Sequence, residues 1–284
     1  MQHEGLIRFG LFSSVLIVMA IWESLAPRRE RVASRWRRSF NNLLLVMVAS
    51  LLVRITPALS ALAAAEWATQ AGFGLLNLWN GDGWLKFVFA VIVLDLLVYG
   101  QHVATHRLSI LWRFHRVHHT DLDLDATSGV RFHPVEILLS MGLKVIAVCL
   151  LGVATEAVLV FEILLNATSV FNHANVRLPV TCDRFLRWFL VTPDMHRVHH
   201  SVLRDETDSN YGFNLSWWDR LFGTYRAQPR DAHEHLTLGV PELRTATETV
   251  PLMAMLATPF RPNKERQAVD ESRSTQESDD TGSC

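Results

Sequence analysis

The sequence predicts an all-α integral membrane domain of about four to five membrane helices, with one pair forming a hairpin, and a histidine-rich cap on the cytoplasmic side. Two observations predict this fold class. Apolar residues make up 49% of the 284 residues, and they gather in stretches near the roughly 20 residues that a membrane helix needs. Ten of the 13 histidines fall between positions 102 and 200. We therefore expect a helical membrane domain with one polar, histidine-rich end.

The first three predicted membrane helices come from residues 6–25, 42–65 and 84–103. The first stretch has no clear cleavage site, so we interpret it as a retained membrane helix. Arg54 and Pro57 interrupt the second.

The apolar stretch 135–171 is too long for one membrane helix. Gly152 lies near its middle, and Thr155 and Glu156 resemble the start of a second helix. The stretch therefore predicts two helices in a hairpin. Lys144 leaves open whether the hairpin crosses the membrane fully or re-enters on the same side.

The loops between these helices differ in charge. Residues 27–40 contain six arginines, whereas residues 66–83 contain neither lysine nor arginine. The excess of positive charge in cytoplasmic loops places the first loop, and with it every histidine cluster, in the cytoplasm, unless the asymmetry is accidental. We expect an integral protein of a bacterial inner membrane.

Three domains are predicted: N-terminal membrane helices (1–83), a catalytic domain (84–226) and a C-terminal extension (227–284), disordered from about residue 261 because its polar composition cannot bury a core. His233 and His235 in the extension are interpreted as surface residues.

The near balance of 27 Lys+Arg against 28 Asp+Glu argues against nucleic acid as the main partner. The three cysteines have no CxxC spacing and predict neither disulfides nor a thiolate metal site.

One five-residue motif, His-Arg-Val-His-His, occurs at 115–119 and again at 196–200. In a helix its three histidines, at i, i+3 and i+4, share one face. A third pair, His102 and His106, has the i, i+4 spacing of paired histidine ligands in helical zinc sites. Eight imidazoles exceed the four ligands of one structural zinc ion, so they predict a site for two metal ions. The predicted ligands are His102, His106, His115, His118, His119, His196, His199 and His200.

Two further histidines are candidate ligands. His173 lies at the cytoplasmic end of the second hairpin helix and is otherwise a hydrogen-bonded cap. His133 precedes Pro134 where the hairpin begins, and the alternative there is a structural or headgroup contact. Asp95, inside the third membrane helix, and Asp194 are candidate hydrogen-bond partners of ligating histidines. For Asp95 the alternative is a plain hydrogen bond between helices.

With these motifs in place, the chain resembles the fatty acid hydroxylase superfamily, also called the sterol desaturase family. The resemblance covers roughly residues 85–226 and rests on both histidine motifs, the His102–His106 pair and several further segments. These segments are Leu111-Trp112-Arg113-Phe114, Arg131-x-His133-Pro134-x-Glu136, Asn172-His173-Ala174-Asn175, Asn210-Tyr211-Gly212 and Trp218-Asp219-Arg220-Leu221-Phe222-Gly223-Thr224-Tyr225.

The resemblance implies a membrane oxidoreductase that uses two iron ions, with O2 as co-substrate, to hydroxylate or desaturate a lipid, sterol or related apolar substrate. That substrate is expected to enter from the bilayer, between the hairpin and the third helix. No fused cytochrome b5-like or ferredoxin-like domain is evident, so electrons are expected from a separate donor of one of these types with its reductase. The sequence does not decide whether the chain is a hydroxylase or a desaturase, which substrate it uses, or which protein donates the electrons. The alternative from another class is a membrane metal-binding or transport protein without redox turnover.

Overall fold

The computed structural model describes residues 4–262, and these residues form α-helices and short 3-10 turns without a strand. The predicted all-α class is therefore confirmed. Seven of the described helices have ten or more residues: α1 Glu4–Leu25, α2 Arg35–Arg54, α3 Ala61–Gln70, α5 Gly83–Arg107, α6 Ser109–His119 and the two helices of the hairpin, α7 Pro134–Leu151 and α8 Thr155–His173. The short helices are α4 Leu75–Leu78, α9 Val180–Leu186, α10 Pro193–His199, α11 Arg204–Thr207, α12 Trp217–Leu221, α13 Ala246–Thr249 and α14 Leu252–Ala257.

Three of the described helices, α1, α5 and α7, are long and apolar enough to cross a membrane. Each exposes large apolar side chains, for example Phe9 on α1, Trp84 on α5 and Leu150 on α7. A row of exposed apolar residues on a long helix is typical of a surface that faces lipid. The helices α2 and α8, of 20 and 19 residues, pack beside them.

The predicted second membrane helix, residues 42–65, is divided in the structure. α2 begins earlier, at Arg35, and ends at Arg54. Pro57 lacks a backbone N–H and starts a 3-10 turn. A new helix, α3, follows Ser60, whose hydroxyl accepts a hydrogen bond from the Ala63 N–H. The interruption seen in the sequence is thus a true helix boundary.

The hairpin predicted from residues 135–171 is present as α7 and α8. α7 ends at Leu151 and is capped by Gly152, which has a φ of 67°, and α8 begins at Thr155 as expected. A side chain at Gly152 would also meet the Phe73 carbonyl oxygen at 2.6 Å, so both the turn and its close packing require glycine. Both helices pack against α3 and α5 around a core that includes Leu94, Val148 and Phe161.

Opposite the hairpin turn, several helix ends meet a buried loop. The loop includes a 3-10 turn, Ala126–Val130, that packs on α8, and it is tied to α2 by Arg38. The Arg38 guanidinium donates to both oxygens of Asp121 and to Asp125, with all three side chains buried. This end of the molecule carries the last turns of α5, α6 and α8, the first turn of α7 and all of α10, so it gathers the histidines.

Two expectations for the C-terminal region have different outcomes. His235 is exposed as predicted, but the prediction for His233 is wrong because its side chain is buried, with Nε2 3.9 Å from Asp194 Oδ2. A nearby carboxylate makes burial of this imidazole less costly. The tail expected to be disordered lies, beyond residue 262, outside the described residues.

Candidate metal centre

Nine of the ten candidate histidines lie in two buried groups. Within each group one ligand atom from every residue lies within 4.8 Å of the others. Group one consists of His102, His106, His115, His119 and His199; group two consists of His118, His173, His196 and His200. All nine side chains are buried. Residues far apart in the sequence are therefore brought together as two adjacent sets of imidazoles.

Each copy of the five-residue motif contributes histidines to both groups. The copy on α6 places its first and last histidines in group one and its middle one, His118, in group two. The copy at α10 does the reverse, with His199 crossing to group one. Helix geometry explains the division, because residues i and i+4 differ by about 40° around the axis whereas i+3 lies about 60° to the other side of i.

Hydrogen bonds on the far side of several rings fix which nitrogen carries the proton. The Nδ1 atoms of His102 and His199 lie 2.7 Å from the carbonyl oxygens of Tyr211 and Ser209. His173 Nδ1 lies 2.7 Å from the Ser169 carbonyl oxygen. A carbonyl only accepts, so each Nδ1 donates and each Nε2 keeps its lone pair.

His115 has an acidic partner. Its Nδ1 lies 2.6 Å from Glu136 Oε1, and both side chains are buried. A carboxylate behind a histidine fixes the orientation of the ring and makes the other nitrogen more basic, as it does around many bound metals. His106 Nδ1 lies 3.4 Å from Asp208 Oδ1.

The Nε2 atoms then face one another with their lone pairs. The His102 and His115 Nε2 atoms are 3.1 Å apart, and His173 Nε2 lies 3.0 Å from that of His118 and 3.0 Å from that of His196. Where Nδ1 holds the proton on both rings, neither Nε2 can donate, and the contact is repulsive without a cation. Two nitrogens on one metal at about 2.1 Å lie about 3.0 Å apart when the angle between them is a right angle. The donor set therefore fits two metal ions.

Burial favours the neutral form of several of these imidazoles, which is the form that binds a metal. Burial is the main cause that lowers the pKa of His118, His119, His196 and His200 well below the ordinary value, and neighbouring histidines lower it further. The pKa of His199 falls to about 3 for the same first reason.

The tenth candidate, His133, lies outside both groups. It is the residue before α7, and its Nδ1 accepts a hydrogen bond from the Val135 N–H at 3.2 Å. Its ring packs 5.3 Å from that of Phe114. These contacts are those of a helix cap, which agrees with the structural role given above as an alternative to metal binding.

Neither candidate carboxylate makes a hydrogen bond to the nine histidines. Asp95 accepts from the Asn214 side chain, the Leu215 N–H and the Trp218 indole. It therefore fixes the segment that follows Tyr211, whose carbonyl accepts from His102. Asp194 is paired with two arginines, Arg28 and Arg197.

The groups that support the histidine rings were not predicted from the sequence. Glu136 lies in the Arg131-x-His133-Pro134-x-Glu136 segment, in the first turn of a helix and close to candidate ligands. Its carboxylate could therefore have been predicted as a hydrogen-bond partner of a ligating histidine. The carbonyls of Ser169, Ser209 and Tyr211 carry no such signal, because every residue has one.

A cavity of about 640 Å³ opens directly beside group one. Its wall contains His102, His115 and Glu136, together with Phe132 and Phe213. It continues between α5 on one side and α7 and α8 on the other, and residues of α1 and α2 complete the lining. A volume of this size is typical of a site for a small or medium-sized ligand.

Comparison with known proteins gives consistent matches. The sequence model of the fatty acid hydroxylase family matches residues 87–224. An ornithine lipid hydroxylase, OlsE of Rhizobium tropici, is 27% identical over 256 residues, covering 88% of this chain and 74% of that protein.

Two eukaryotic relatives match a smaller part. Alkylglycerol monooxygenase of Xenopus tropicalis is 30% identical over 147 residues, 50% of this chain and 30% of that protein. The Delta(7)-sterol-C5(6)-desaturase of Nicotiana tabacum is 25% identical over 156 residues, 51% of this chain and 52% of that protein. The chain thus spans only about a third to a half of these two relatives. No solved structure matches.

Proposed function

The chain belongs to the fatty acid hydroxylase superfamily, and from that premise we propose that it is an O2-dependent membrane oxidoreductase that hydroxylates, or desaturates, a lipid-like substrate at a centre of two iron ions. The observation that carries the proposal is the convergence of nine buried imidazoles in two groups whose Nε2 lone pairs face each other. Imidazole suits iron, zinc and copper alike, and the oxidative chemistry named for the relatives favours iron.

Group one would hold one ion through five nitrogens and group two the other through four. Bound there, the metals would supply the reduction of O2 and the removal of hydrogen from an unactivated C–H bond. In a hydroxylation, one oxygen atom enters the substrate and the other leaves as water, while two electrons and two protons are consumed. In a desaturation, the substrate loses two hydrogens, two further electrons and two protons are consumed as before, and both oxygen atoms leave as water.

The protein residues hold the two groups and the substrate in fixed geometry. Tyr211, Ser209 and Ser169 accept through their carbonyls and Glu136 through its carboxylate, so the rings cannot rotate freely. The cavity beside group one would hold an apolar chain against His102 and His115. Electrons would come from a separate ferredoxin-type or cytochrome b5-type donor with its reductase.

The orientation in the membrane is part of the same proposal. Six arginines lie between residues 27 and 40, next to the histidine end of the molecule. An arginine-rich loop on the histidine side favours a cytoplasmic position for the metal centre in a bacterial inner membrane. A cytoplasmic position would also give a soluble electron donor access.

The test is a mass-spectrometric comparison of lipid extracts from cells that express the native chain or His199→Ala, grown under isotopically labelled O2. A lipid that gains one labelled oxygen only with the native chain supports a hydroxylase, and loss of two hydrogens without label supports a desaturase. His235→Ala, an exposed histidine outside both groups, is the matched control and should behave as native. No new lipid with the native chain, in cells that supply iron and electrons, would favour a metal-binding protein without turnover.

A further inference from the structure

The far end of the cavity carries a cluster of charged side chains inside the helical domain. Lys144 on α7 lies 2.9 Å from Glu162 on α8, and Arg8 on α1 lies 2.9 Å from the other carboxylate oxygen of Glu162. Lys144 and Glu162 are buried, while the Arg8 side chain is 37% exposed. All three line the cavity that reaches group one. Charges within a membrane domain are costly and commonly functional.

This cluster has more donors than acceptors. Each oxygen of Glu162 already has a cation, whereas Lys144 brings three N–H donors and Arg8 five. The ionisable residues at this end are Arg8, Arg54 and Lys144 against Glu4 and Glu162, three positive and two negative charges. An excess of one positive charge beside an apolar wall favours a ligand with an acidic group.

The cluster lies at a defined distance from the metal centre. Lys144 is eight residues from Glu136 along α7, or about 12 Å at the helical rise, and Glu162 is eleven residues from His173 along α8, or about 16 Å. An extended chain advances about 1.2 Å per bond, so about 10 to 13 bonds separate the charged cluster from the metal centre.

We infer that the Arg8–Lys144–Glu162 cluster binds the acidic group, carboxylate or phosphate, of a single-chain amphiphile whose chain runs through the cavity to group one. This inference rests on the proposed function and adds the class of substrate and the position of attack, about 10 to 13 bonds from the acidic group. A cluster that only ties α1, α7 and α8 together would not distinguish acidic from neutral ligands.

The test uses the metal-loaded protein in nanodiscs of neutral lipid and three C18 probes with a photoreactive group at carbon 12: a fatty acid, an alkyl phosphate and an alcohol. We expect the acid and the phosphate to label cavity residues near Phe132 and Phe213 more strongly than the alcohol. Labelling by one acidic probe alone would identify a carboxylate or a phosphate as the bound group. Lys144→Met should lower acidic labelling about ten- to hundredfold, since a charged hydrogen bond is lost, and leave the alcohol unchanged.

Two variants separate binding from structure. Lys144→Arg keeps the charge and should restore acidic labelling, and Lys86→Met removes a lysine outside the cavity and should behave as native. Arg8→Met decides the same question if Lys144→Met does not fold. Equal labelling by acid and alcohol in the native protein, or unchanged acidic labelling in the folded variants, would overturn the inference. Because labelling needs no turnover, failure of the proposed oxidation would leave this result unaffected.

Discussion

The two copies of His-Arg-Val-His-His are identical in sequence but have different surroundings. In the first copy His115 donates to the buried carboxylate of Glu136. The corresponding histidine of the second copy, His196, has no hydrogen-bond partner for its Nδ1 among the described residues. The arginines differ as well: Arg116 donates to the carbonyl of Thr258 in the C-terminal segment, and Arg197 pairs with Asp194.

The difference extends to the two groups. In group one, the Nδ1 atoms of His102, His115 and His199 have close partners. In group two only His173 has one, within the part of the chain that the structure describes. A metal in group one would thus have five nitrogens, three of them from rings with a close Nδ1 partner, and a metal in group two would have four nitrogens, one of them from such a ring. The identical motif sets the direction of the rings, and its neighbours set their rigidity.

The largest expected effect comes from removing the last histidine of each copy. His119→Ala leaves four nitrogens in group one, but His200→Ala leaves three in group two. We expect His200→Ala to retain about one metal ion per chain and His119→Ala to stay closer to two, because four nitrogens are enough to hold an ion. Elemental analysis of the purified proteins measures this ratio.

These two variants are well matched, because neither histidine has a partner for its Nδ1 among residues 4–262. Any difference between them therefore reports the number of nitrogens left behind. Equal metal loss, or a greater loss in His119→Ala, would contradict the division into five and four.

A smaller effect is expected from the carboxylate that supports only the first copy. Glu136→Gln keeps the shape of the side chain but removes its charge, so metal affinity or activity should fall about 10- to 100-fold. Metal titration of the apoprotein measures the affinity. Glu156→Gln, which changes an exposed glutamate at the start of α8, should have no effect. Native affinity in Glu136→Gln would mean that the two copies are equally supported.

The smallest effect tests whether His133 is a metal ligand or only a helix cap. His133→Ala should lower the free energy of unfolding by about 1 kcal/mol through loss of a helix cap, and His133→Asn should restore it. Thermal unfolding measures the stability, and metal titration of the apoprotein should find native affinity in both variants. A lower metal affinity in both would instead make His133 a ligand.

Much of the centre could be predicted from local sequence. Helical spacing predicted eight of the nine histidines that the structure brings together. The ninth, His173, was predicted from its position at the end of the second hairpin helix. The role of Asp95 could not be predicted, because its partners lie about 120 residues away at Asn214, Leu215 and Trp218. His233 was assigned to the surface for the same reason, since nothing near it in sequence reveals the partly buried Asp194 beside it.

The helical class, the hairpin and the face of each helix that carries the histidines could all be predicted from the amino-acid sequence. These follow from apolar length, a helix-ending glycine and the 3.6-residue period, all of which act within one segment. The division of nine histidines into five and four, the choice of rings that gain a supporting acceptor, and the charged cluster at the far end of the cavity depend on the packing of the whole chain. The reason is physical: each of these features needs helices distant in the chain to cross at a particular place, and their packing alone fixes that place.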